Sequence, residues 1–455
     1  MKLLKLSLVI MAATLVTLGL SEMSYALHSG GTAYCEACHT MHNSLGGVTV
    51  RKGGAPDIGV SYLLKGSDQS STCLNCHASS SATPGGITIM TYPVLAGSPP
   101  VQRSPGGDFA WIAKSYGTAG TQNPGYTHGH NINALDYSLP SGAPLATTAP
   151  GGTYLQANLH CTSCHNPHSN SRIIGNPVTA STRVQPTLGG PAYGPITGSG
   201  SYAGSGTAPV LPSPTAPLGV YRLLGDVKYL PVSYSGGPPF VNPPPVAVAP
   251  STYNQTELTN EVRVAYGSGM SEWCYNCHPS ILNSASGSGA THIHPAGAGA
   301  LLSQNANMSG TTTTYAAIYN AYKSSGNLSG LQANAYTSLV PYEEGSNDLT
   351  VIGPHASNTH PIYSTTGPYL GTENAQCLSC HRAHASGFPQ ATRWYNNYQF
   401  ITLAGGVWPG ATANSQSDYM PQLDYQAAMY DHQASVFGGT TGFQRALCNK
   451  CHGKD

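Results

Sequence analysis

The stretch CEACHTMH, residues 35–42, contains the pattern that decides how this chain folds. Cys35 and Cys38 are separated by two residues and followed directly by His39, and a second histidine, His42, comes three residues later. The same C-x-x-C-H pattern occurs six times and uses all 12 cysteines of the 455-residue chain. In chain order, sites 1 to 6 are Cys35, Cys38 and His39; Cys73, Cys76 and His77; Cys161, Cys164 and His165; Cys274, Cys277 and His278; Cys377, Cys380 and His381; and Cys448, Cys451 and His452.

The histidine after each second cysteine identifies the chemistry of these sites. C-x-x-C-H is the attachment signal of c-type haem: two thiols add to the two vinyl groups, and the next imidazole reaches the iron. Disulfides or zinc sites would also use paired cysteines, but neither needs a histidine at this position. With 18 histidines in 455 residues, six such histidines arise by chance with a probability on the order of 10⁻⁹. We therefore expect six heme c groups, each with iron bound by the histidine of its site.

The composition predicts the fold class. Only 8% of residues are charged, the formal net charge is zero, and there are 54 glycines and 35 prolines. Low, balanced charge argues against nucleic-acid binding, which needs a basic face. Glycine and proline disfavour long helices and strands, and about 70 residues per haem is little for a conventional core. We expect mostly irregular coil with short α-helices and few strands, in which the haem chain forms the core.

The N-terminus has the features of an export signal. Residues 1–26 combine two early lysines, an apolar run too short to span a bilayer, and a small-x-small cleavage site ending at Ala26. We expect residues 27–455 to form a single exported hexahaem domain without a membrane span. Gly/Pro-rich stretches around 189–245 are expected to be surface loops. Helical periodicity is weak along most of the chain, but short helices are predicted at Thr256–Tyr266, Tyr315–Lys323 and Ser329–Leu339, where it is present.

A second ligand on each iron decides whether the site is closed or open to substrate. Twelve histidines lie outside the six motifs, twice the number that six closed irons need. His42, His168 and His384 each follow the motif histidine of sites 1, 3 and 5 by three residues. Such a residue lies on the proximal side of its own porphyrin, so it would ligate a neighbouring haem; the alternative is a hydrogen bond to a propionate.

The remaining histidines divide into candidates and incidental residues. His130, His294 and His355 are the other expected ligands, with His160 and His28 in reserve, because His160 directly precedes Cys161. Lone histidines usually have no metal role. We assign no ligand role to His128, His292, His360 and His432.

Stretches along the whole chain resemble one family. They include HSGG (28–31), CHTMHNSLGG (38–47), PGGDF (105–109), APGGTY (149–154), VAPSTYN (248–254), GMSEWC (269–274), CLSCHRAHASGF (377–388) and QRALCNKCH (444–452). The chain resembles the hexahaem outer-surface c-type cytochromes of metal-reducing bacteria that polymerise into conductive filaments.

This resemblance implies bis-histidine haems in alternating parallel and perpendicular pairs and head-to-tail polymerisation. It implies that His42 ligates the fifth haem, beside His381, in the neighbouring subunit. Histidines also stand at family ligand positions at His130, His160, His168, His294, His355 and His384.

The expected function is extracellular electron transfer without bond-making chemistry, at the cell outer surface or in an extracellular filament. Its expected partners are identical subunits, other cytochromes and external acceptors such as metal oxides. An alternative is a reductase of nitrite or a metal oxyanion with one open haem, although no site replaces the motif histidine with lysine. A soluble periplasmic shuttle is a further alternative, but the low charge offers little for electrostatic docking.

Overall fold

The computed structural model describes separate stretches of the chain between residues 35 and 445. They are 35–41, 44–45, 48–49, 63–79, 88–101, 104–117, 123–139, 148–169, 171–175, 183–184, 201–203, 211–231, 239–249, 260–281, 296–303, 314–320, 341–361, 371–395, 400–403, 407–409, 420–431 and 444–445.

Several predicted features lie outside these described residues. They include the signal peptide over residues 1–26 and the helix predicted at Ser329–Leu339. Site 6 lies outside them as well, so the haem-binding roles of Cys448, Cys451 and His452 stay predictions. The candidate ligands His28, His42 and His294 also lie outside the described residues, as do His292, His432 and the side chain of His360, to which no ligand role is assigned.

The helices are short, as the glycine and proline content predicts. Five of them contain cysteines of a C-x-x-C-H site. Within the described stretches they are α1 (Cys35–Cys38), α2 (Gln69–His77), α3 (Cys161–Cys164), α4 (Met270–Cys274), α5 (Tyr315–Asn320), α6 (Leu349–Ile352), α7 (Cys377–Cys380) and α8 (Gln422–Ala428). Turns of 3₁₀ helix occupy Phe109–Ala113, Gly125–Thr127, Leu135–Tyr137, Gln156–Asn158, Tyr221–Leu223, Gly353–His355 and Pro389–Ala391. In this described part of the chain, no helix is long and apolar enough to cross a membrane.

The strands are two to five residues long. They are β1 (Ser44–Leu45), β2 (Val48–Thr49), β3 (Arg172–Ile173), β4 (Arg183–Val184), β5 (Ser201–Ala203), β6 (Ala247–Ala249), β7 (Asn260–Arg263), β8 (Ala265–Tyr266), β9 (Tyr342–Glu343), β10 (Ser357–Pro361), β11 (Asn374–Ala375), β12 (Phe400–Thr402) and β13 (Gln444–Arg445). One mixed sheet has the order β11-β9-β8-β6-β5, and the other strands form two-stranded pairs. The predicted class, irregular coil with short helices and few strands, is confirmed.

Two helix predictions have different outcomes. The helix predicted at Tyr315–Lys323 is present as Tyr315–Asn320. The helix predicted at Thr256–Tyr266 is wrong, because β7 and β8 occupy Asn260–Arg263 and Ala265–Tyr266. The valines there are β-branched, and Val262 and Val264 repeat every second residue, which suits a strand that pairs with other strands.

Buried side chains form apolar clusters in the described part of the chain. The largest joins residues near 74–139 to residues 385–429 and includes Trp111, Phe388 and Tyr425. Within it, Lys114 Nζ lies 2.9 Å from Asp424 Oδ2, and both side chains are less than a tenth exposed. The fold therefore joins parts of the chain that are about 300 residues apart in sequence.

A segment between the Gly/Pro-rich stretches packs into the interior. Val220 and Tyr221 are buried, and Leu224 pairs with His165 in an isolated β-bridge. This segment lies against the haem-attachment residues of site 3, and the expectation that the surrounding Gly/Pro-rich stretches form surface loops stays a prediction.

Candidate haem sites

One helical turn presents the two cysteines of a site on the same side. In α3, Cys161 and Cys164 occupy positions i and i+3, which face the same way on a helix. The turn ends at His165, whose backbone is extended and whose N–H donates to the Cys161 carbonyl at 2.9 Å. At site 5, α7 ends in the same way at His381. The change of backbone direction separates each imidazole from its pair of thiols.

Site 2 places its motif at the end of a longer helix. Cys73, Cys76 and His77 lie within the last five residues of α2, which begins at Gln69. Cys73 and Cys76 are again three residues apart on one helix, so their thiols face the same way. The helix ends with His77, and the backbone of Ala78 is extended. Site 2 therefore presents its cysteine pair as site 3 does, with the histidine still inside the helix.

Backbone carbonyls orient the motif histidines at three sites. The Nδ1 atoms of His165, His278 and His381 lie 2.9, 2.8 and 2.7 Å from the carbonyl oxygens of residues 222, 150 and 390. A carbonyl accepts from a protonated Nδ1, which leaves Nε2 with the lone pair that binds a metal. These histidines are therefore in the tautomer that an axial iron ligand requires.

The segment that supplies the carbonyl has the same shape at two sites. Arg222 and Gln390 are both in the left-handed region, with φ of 46° and 57°. Two residues further on, Leu224 and Thr392 form isolated β-bridges with the motif histidines His165 and His381. Such backbone strain persists only where the surroundings over-determine it and is common at functional sites. Sequence reasoning missed these segments. One signal was visible: YRLLG at 221–225, which pairs with site 3, resembles YLLKG at 62–66, whose Leu64 pairs with His39 of site 1.

Three motif histidines face a second histidine. An iron between two imidazoles, with metal–nitrogen distances of roughly 2 Å, separates the ring centroids by about 6 Å. The observed centroid distances are 5.9 Å for His39 and His168, 6.4 Å for His165 and His384, and 6.2 Å for His130 and His278, with interplanar angles of 16°, 56° and 51°. The side chains at sites 1, 3 and 4 therefore fit a metal bound between two axial histidines.

The second histidine can come from a different attachment site. His168 follows site 3 but faces site 1, and His384 follows site 5 but faces site 3. Burial lowers the pKa of His384 to about 3, with a further contribution from His165, and burial lowers the pKa of His130 to about 4. His384 and His130 are therefore neutral at pH 7, the form in which imidazole ligates a metal.

The other described histidines differ in what their ring nitrogens contact. His355 Nδ1 lies 2.7 Å from Glu344 Oε2, and His160 Nδ1 lies 3.1 Å from the Asn133 carbonyl oxygen. A proton on Nδ1 places the lone pair of each ring on Nε2, the arrangement of a metal ligand. In His128, both ring nitrogens are hydrogen-bonded within the protein, Nδ1 to the Trp111 carbonyl at 3.0 Å and Nε2 to the Asn123 side chain. His128 therefore has a structural role.

Cysteines of consecutive sites lie near each other along the chain. The first cysteines of sites 2 and 3, Cys73 and Cys161, are in hydrogen-bonding contact, and so are Cys274 and Cys377 of sites 4 and 5. These thiols stand in for the thioether sulfurs of attached haems.

The second cysteines connect the remaining pairs of consecutive sites, which are sites 1 and 2 and sites 3 and 4. Cys38 of site 1 and Cys76 of site 2 interact electrostatically, as do Cys164 of site 3 and Cys277 of site 4. First cysteines in contact therefore link sites 2 and 3 and sites 4 and 5, and cysteines within electrostatic range of each other link sites 1 and 2 and sites 3 and 4. Porphyrin edges attached there would follow one another in chain order from site 1 to site 5.

The two contacts between first cysteines use the same local arrangement. Ser70 and Ser271 each lie three residues before the leading first cysteine. Their hydroxyls accept the N–H of Cys161 and Cys377 respectively, both at 3.1 Å. Sites 2 and 3 therefore repeat the geometry of sites 4 and 5, a relation that the spacing of the motifs did not reveal.

A loop at site 5 connects the ligands of three sites. His384 faces site 3, and the carbonyl of Ala383 orients His130, which faces site 4. Gly107 and Gly129 pair with Ala385 from two sides. A Cβ on Gly107 would overlap the carbonyl oxygen of Ala385, so only glycine allows this approach. Sequence reasoning missed both glycines, although Gly107 lies within PGGDF.

The donor set suits a porphyrin better than a zinc ion. Within the described stretches, no three His, Cys, Asp or Glu side chains converge as metal ligands. Structural zinc uses four such ligands in a tetrahedron, whereas haem iron takes its equatorial ligands from the porphyrin and needs only two axial residues from the protein. Facing histidine pairs beside cysteine pairs on helical turns fit a c-type haem.

Attachment sites of this kind, distributed along a mostly irregular chain, define a c-type cytochrome. No family model matches the chain. It is 44% identical over 462 residues to the C-type cytochrome OmcS of Geobacter sulfurreducens, covering 99% of both proteins. Two solved structures from that organism, one of OmcS nanowires by cryo-EM and one of an Outer Membrane Cytochrome S filament, have TM-scores of 0.75 and 0.76 at 42% and 43% identity, covering 94% of this chain and all of theirs. The chain belongs to the OmcS family of c-type cytochromes.

Proposed function

We propose that this protein conducts electrons through six heme c groups and polymerises head to tail into an extracellular filament that delivers electrons to external acceptors such as metal oxides. The observation that carries this proposal is the proximity of cysteines of consecutive sites, from site 1 to site 5. Electron transfer between haems needs short edge-to-edge distances. Cysteines that lie close together at consecutive sites would hold the attached porphyrin edges at such distances.

In this proposal, each motif histidine binds the iron of its own haem. His168, His384 and His130 supply the second ligands at sites 1, 3 and 4, on the basis of their ring distances. His42 of the neighbouring subunit supplies the second ligand beside His381 at site 5. Sites 2 and 6, with motif histidines His77 and His452, use two of the remaining candidates, which are His28, His160, His294 and His355.

The residues support electron transfer by holding the ligands still. The bound group supplies a reversible one-electron couple between ferric and ferrous iron. Backbone carbonyls lock the rings of His165, His278 and His381, and rigid ligands change little when the iron changes its oxidation state. Desolvation of His384 and His130 lowers the pKa of each ring and would keep both imidazoles neutral and able to bind iron.

Closed irons favour electron transfer over a reductase activity. A reductase needs a coordination position that its substrate can occupy. At sites 1, 3 and 4 a second histidine occupies that position. The proposal therefore assigns no bond-making step to the protein.

The test is a cryo-EM reconstruction of the purified holo-protein, combined with EPR spectroscopy of the ferric form. We expect filaments with six haems per subunit, an uninterrupted haem chain across subunits and only low-spin signals. Monodisperse particles under conditions that preserve assembly would contradict the filament. One high-spin haem in intact filaments would instead favour the reductase.

A further inference from the structure

We propose that Glu344 sets the potential of one haem: its carboxylate accepts the Nδ1–H of His355 and so lowers the reduction potential of the iron bound to His355 Nε2. This inference rests on the proposed ligand role of His355. It assigns to a carboxylate outside every C-x-x-C-H motif the role of a positioning residue that tunes the conduit.

The contact is short and buried. His355 Nδ1 and Glu344 Oε2 are 2.7 Å apart, and the glutamate side chain is only 1% exposed. The Glu344 N–H donates to the Tyr266 carbonyl at 2.8 Å, which anchors the residue at the end of β9. His355 ends the 3₁₀ turn Gly353–His355, which directly follows α6. Both partners are therefore held by regular backbone structure, and the pair is a built feature of the fold.

A carboxylate partner distinguishes His355 from the other candidate ligands whose Nδ1 contacts are known. Neutral backbone carbonyls fill this position at His130, His160, His165, His278 and His381. Asp68 lies 3.8 Å from His160 Nδ1, beyond hydrogen-bonding distance. Among the described residues with a known Nδ1 partner, the carboxylate contact is therefore specific to the haem of His355.

The effect on the iron follows from charge. A carboxylate draws the Nδ1 proton more strongly than a neutral carbonyl does, which makes the ring more basic at Nε2. A more basic ligand stabilises ferric iron, which carries one more positive charge than ferrous iron. A buried negative charge acts in the same direction because little water screens it. Both contributions favour the oxidised state of this haem.

The test compares Glu344→Gln with Glu343→Gln in spectroelectrochemical titrations of the holo-protein at pH 7. Glutamine keeps the shape of Glu344 but removes its charge. We expect one of the six haems to shift toward reduction by about tenfold in its equilibrium constant, which is 59 mV for a one-electron couple. The low-spin EPR signal of the same haem should also change, because its g values respond to the basicity of the axial imidazole.

Glu343 is the matched control because it is adjacent in sequence and fully buried. Its Oε1 accepts the N–H groups of Met270 and Ser271. Burial, together with Glu272, raises the pKa of Glu343 to about 8, so Glu343→Gln removes little charge at pH 7. We expect no shift for this variant, and equal shifts in both variants would overturn the inference.

Two further variants separate failure of the inference from failure of the ligand assignment. His355→Ala should convert one haem to high spin, and six low-spin haems in that variant would overturn both the ligand role of His355 and the inference about Glu344, while the proposed electron conduit would stand with other ligands. If His355→Ala behaves as expected while Glu344→Gln shifts no potential, only the role of Glu344 is wrong. Glu344→Asp keeps the charge at a greater distance and should produce a smaller shift in the same direction; a shift as large as that of Glu344→Gln would count against the hydrogen bond.

Discussion

The imidazole rings of His165 and His384 face each other at a centroid distance of 6.4 Å, although the two residues belong to different C-x-x-C-H sites. The same loop that carries His384 also orients His130 through the carbonyl of Ala383. If these pairs ligate haem iron as proposed, a haem would depend on residues from a neighbouring site. Folding and haem insertion would then be coupled along the chain, because such a site is complete only when its neighbour is in place.

The first prediction concerns His384. We expect His384→Ala to leave site 3 with a single axial histidine, so that one iron changes from low spin to high spin. EPR and electronic absorption spectra of the ferric holo-protein would measure this change. His128→Gln is the control, because His128 is a buried histidine that has both nitrogens occupied by hydrogen bonds. Six low-spin haems in His384→Ala would remove His384 from the ligand set.

The second prediction concerns Gly107, which has a φ of +95° and lies against the Ala385 carbonyl. Gly107→Ala should displace the loop that contains His384 and Ala383, and so disturb the ligands at sites 3 and 4. Gly97→Ala is the matched control, because Gly97 also has a positive φ but has nothing within 4 Å of its Cβ position. The control should cost only about 1 kcal/mol of backbone strain. Equal haem spectra in both variants would show that the close approach is unimportant.

Sequence reasoning predicted the chemistry of this protein better than its local structure. The C-x-x-C-H pattern depends on residues adjacent in sequence, so all six sites were visible, and the spacing of His168 and His384 indicated that each would face another site. The carbonyl partners of the motif histidines were invisible, because a backbone oxygen has no residue signature. Arg222 and Gln390 orient rings through the main chain, so the identity of their side chains does not reveal this role.

Long-range pairs were also beyond the reach of sequence patterns. Lys114 and Asp424 are 310 residues apart and meet only when the chain is folded. The error at Thr256–Tyr266 has a similar cause. Its helical periodicity predicted a helix, but β7 and β8 in this stretch pair with strands that are distant in sequence. Tyr266 pairs with Glu343, which no local pattern could indicate.

The third prediction is a pH dependence that arises from Glu343. Its pKa is raised from 4.5 to about 8 by burial and by Glu272, so between these values the folded protein holds a proton that the unfolded chain has lost. Stability should therefore fall as pH rises through this window, by at most about 1.4 kcal/mol per pH unit. Guanidinium unfolding of the holo-protein at pH 5 and pH 8 measures the loss. Glu343→Gln should be less sensitive to pH, and an unchanged pH dependence in this variant would contradict the assignment.

The last prediction separates assembly from internal haem ligation by comparing His42 with His384. If His42 ligates the fifth haem of a neighbouring subunit, His42→Ala should give a folded hexahaem monomer that assembles poorly, with one five-coordinate iron at site 5. His384→Ala should also produce one five-coordinate iron, but at site 3 and within a subunit whose contacts with neighbours are intact. Electron microscopy should therefore find filaments for His384→Ala and mostly single particles for His42→Ala, while EPR detects one high-spin haem in each. Normal filaments with six low-spin haems in His42→Ala would place the ligand of site 5 elsewhere.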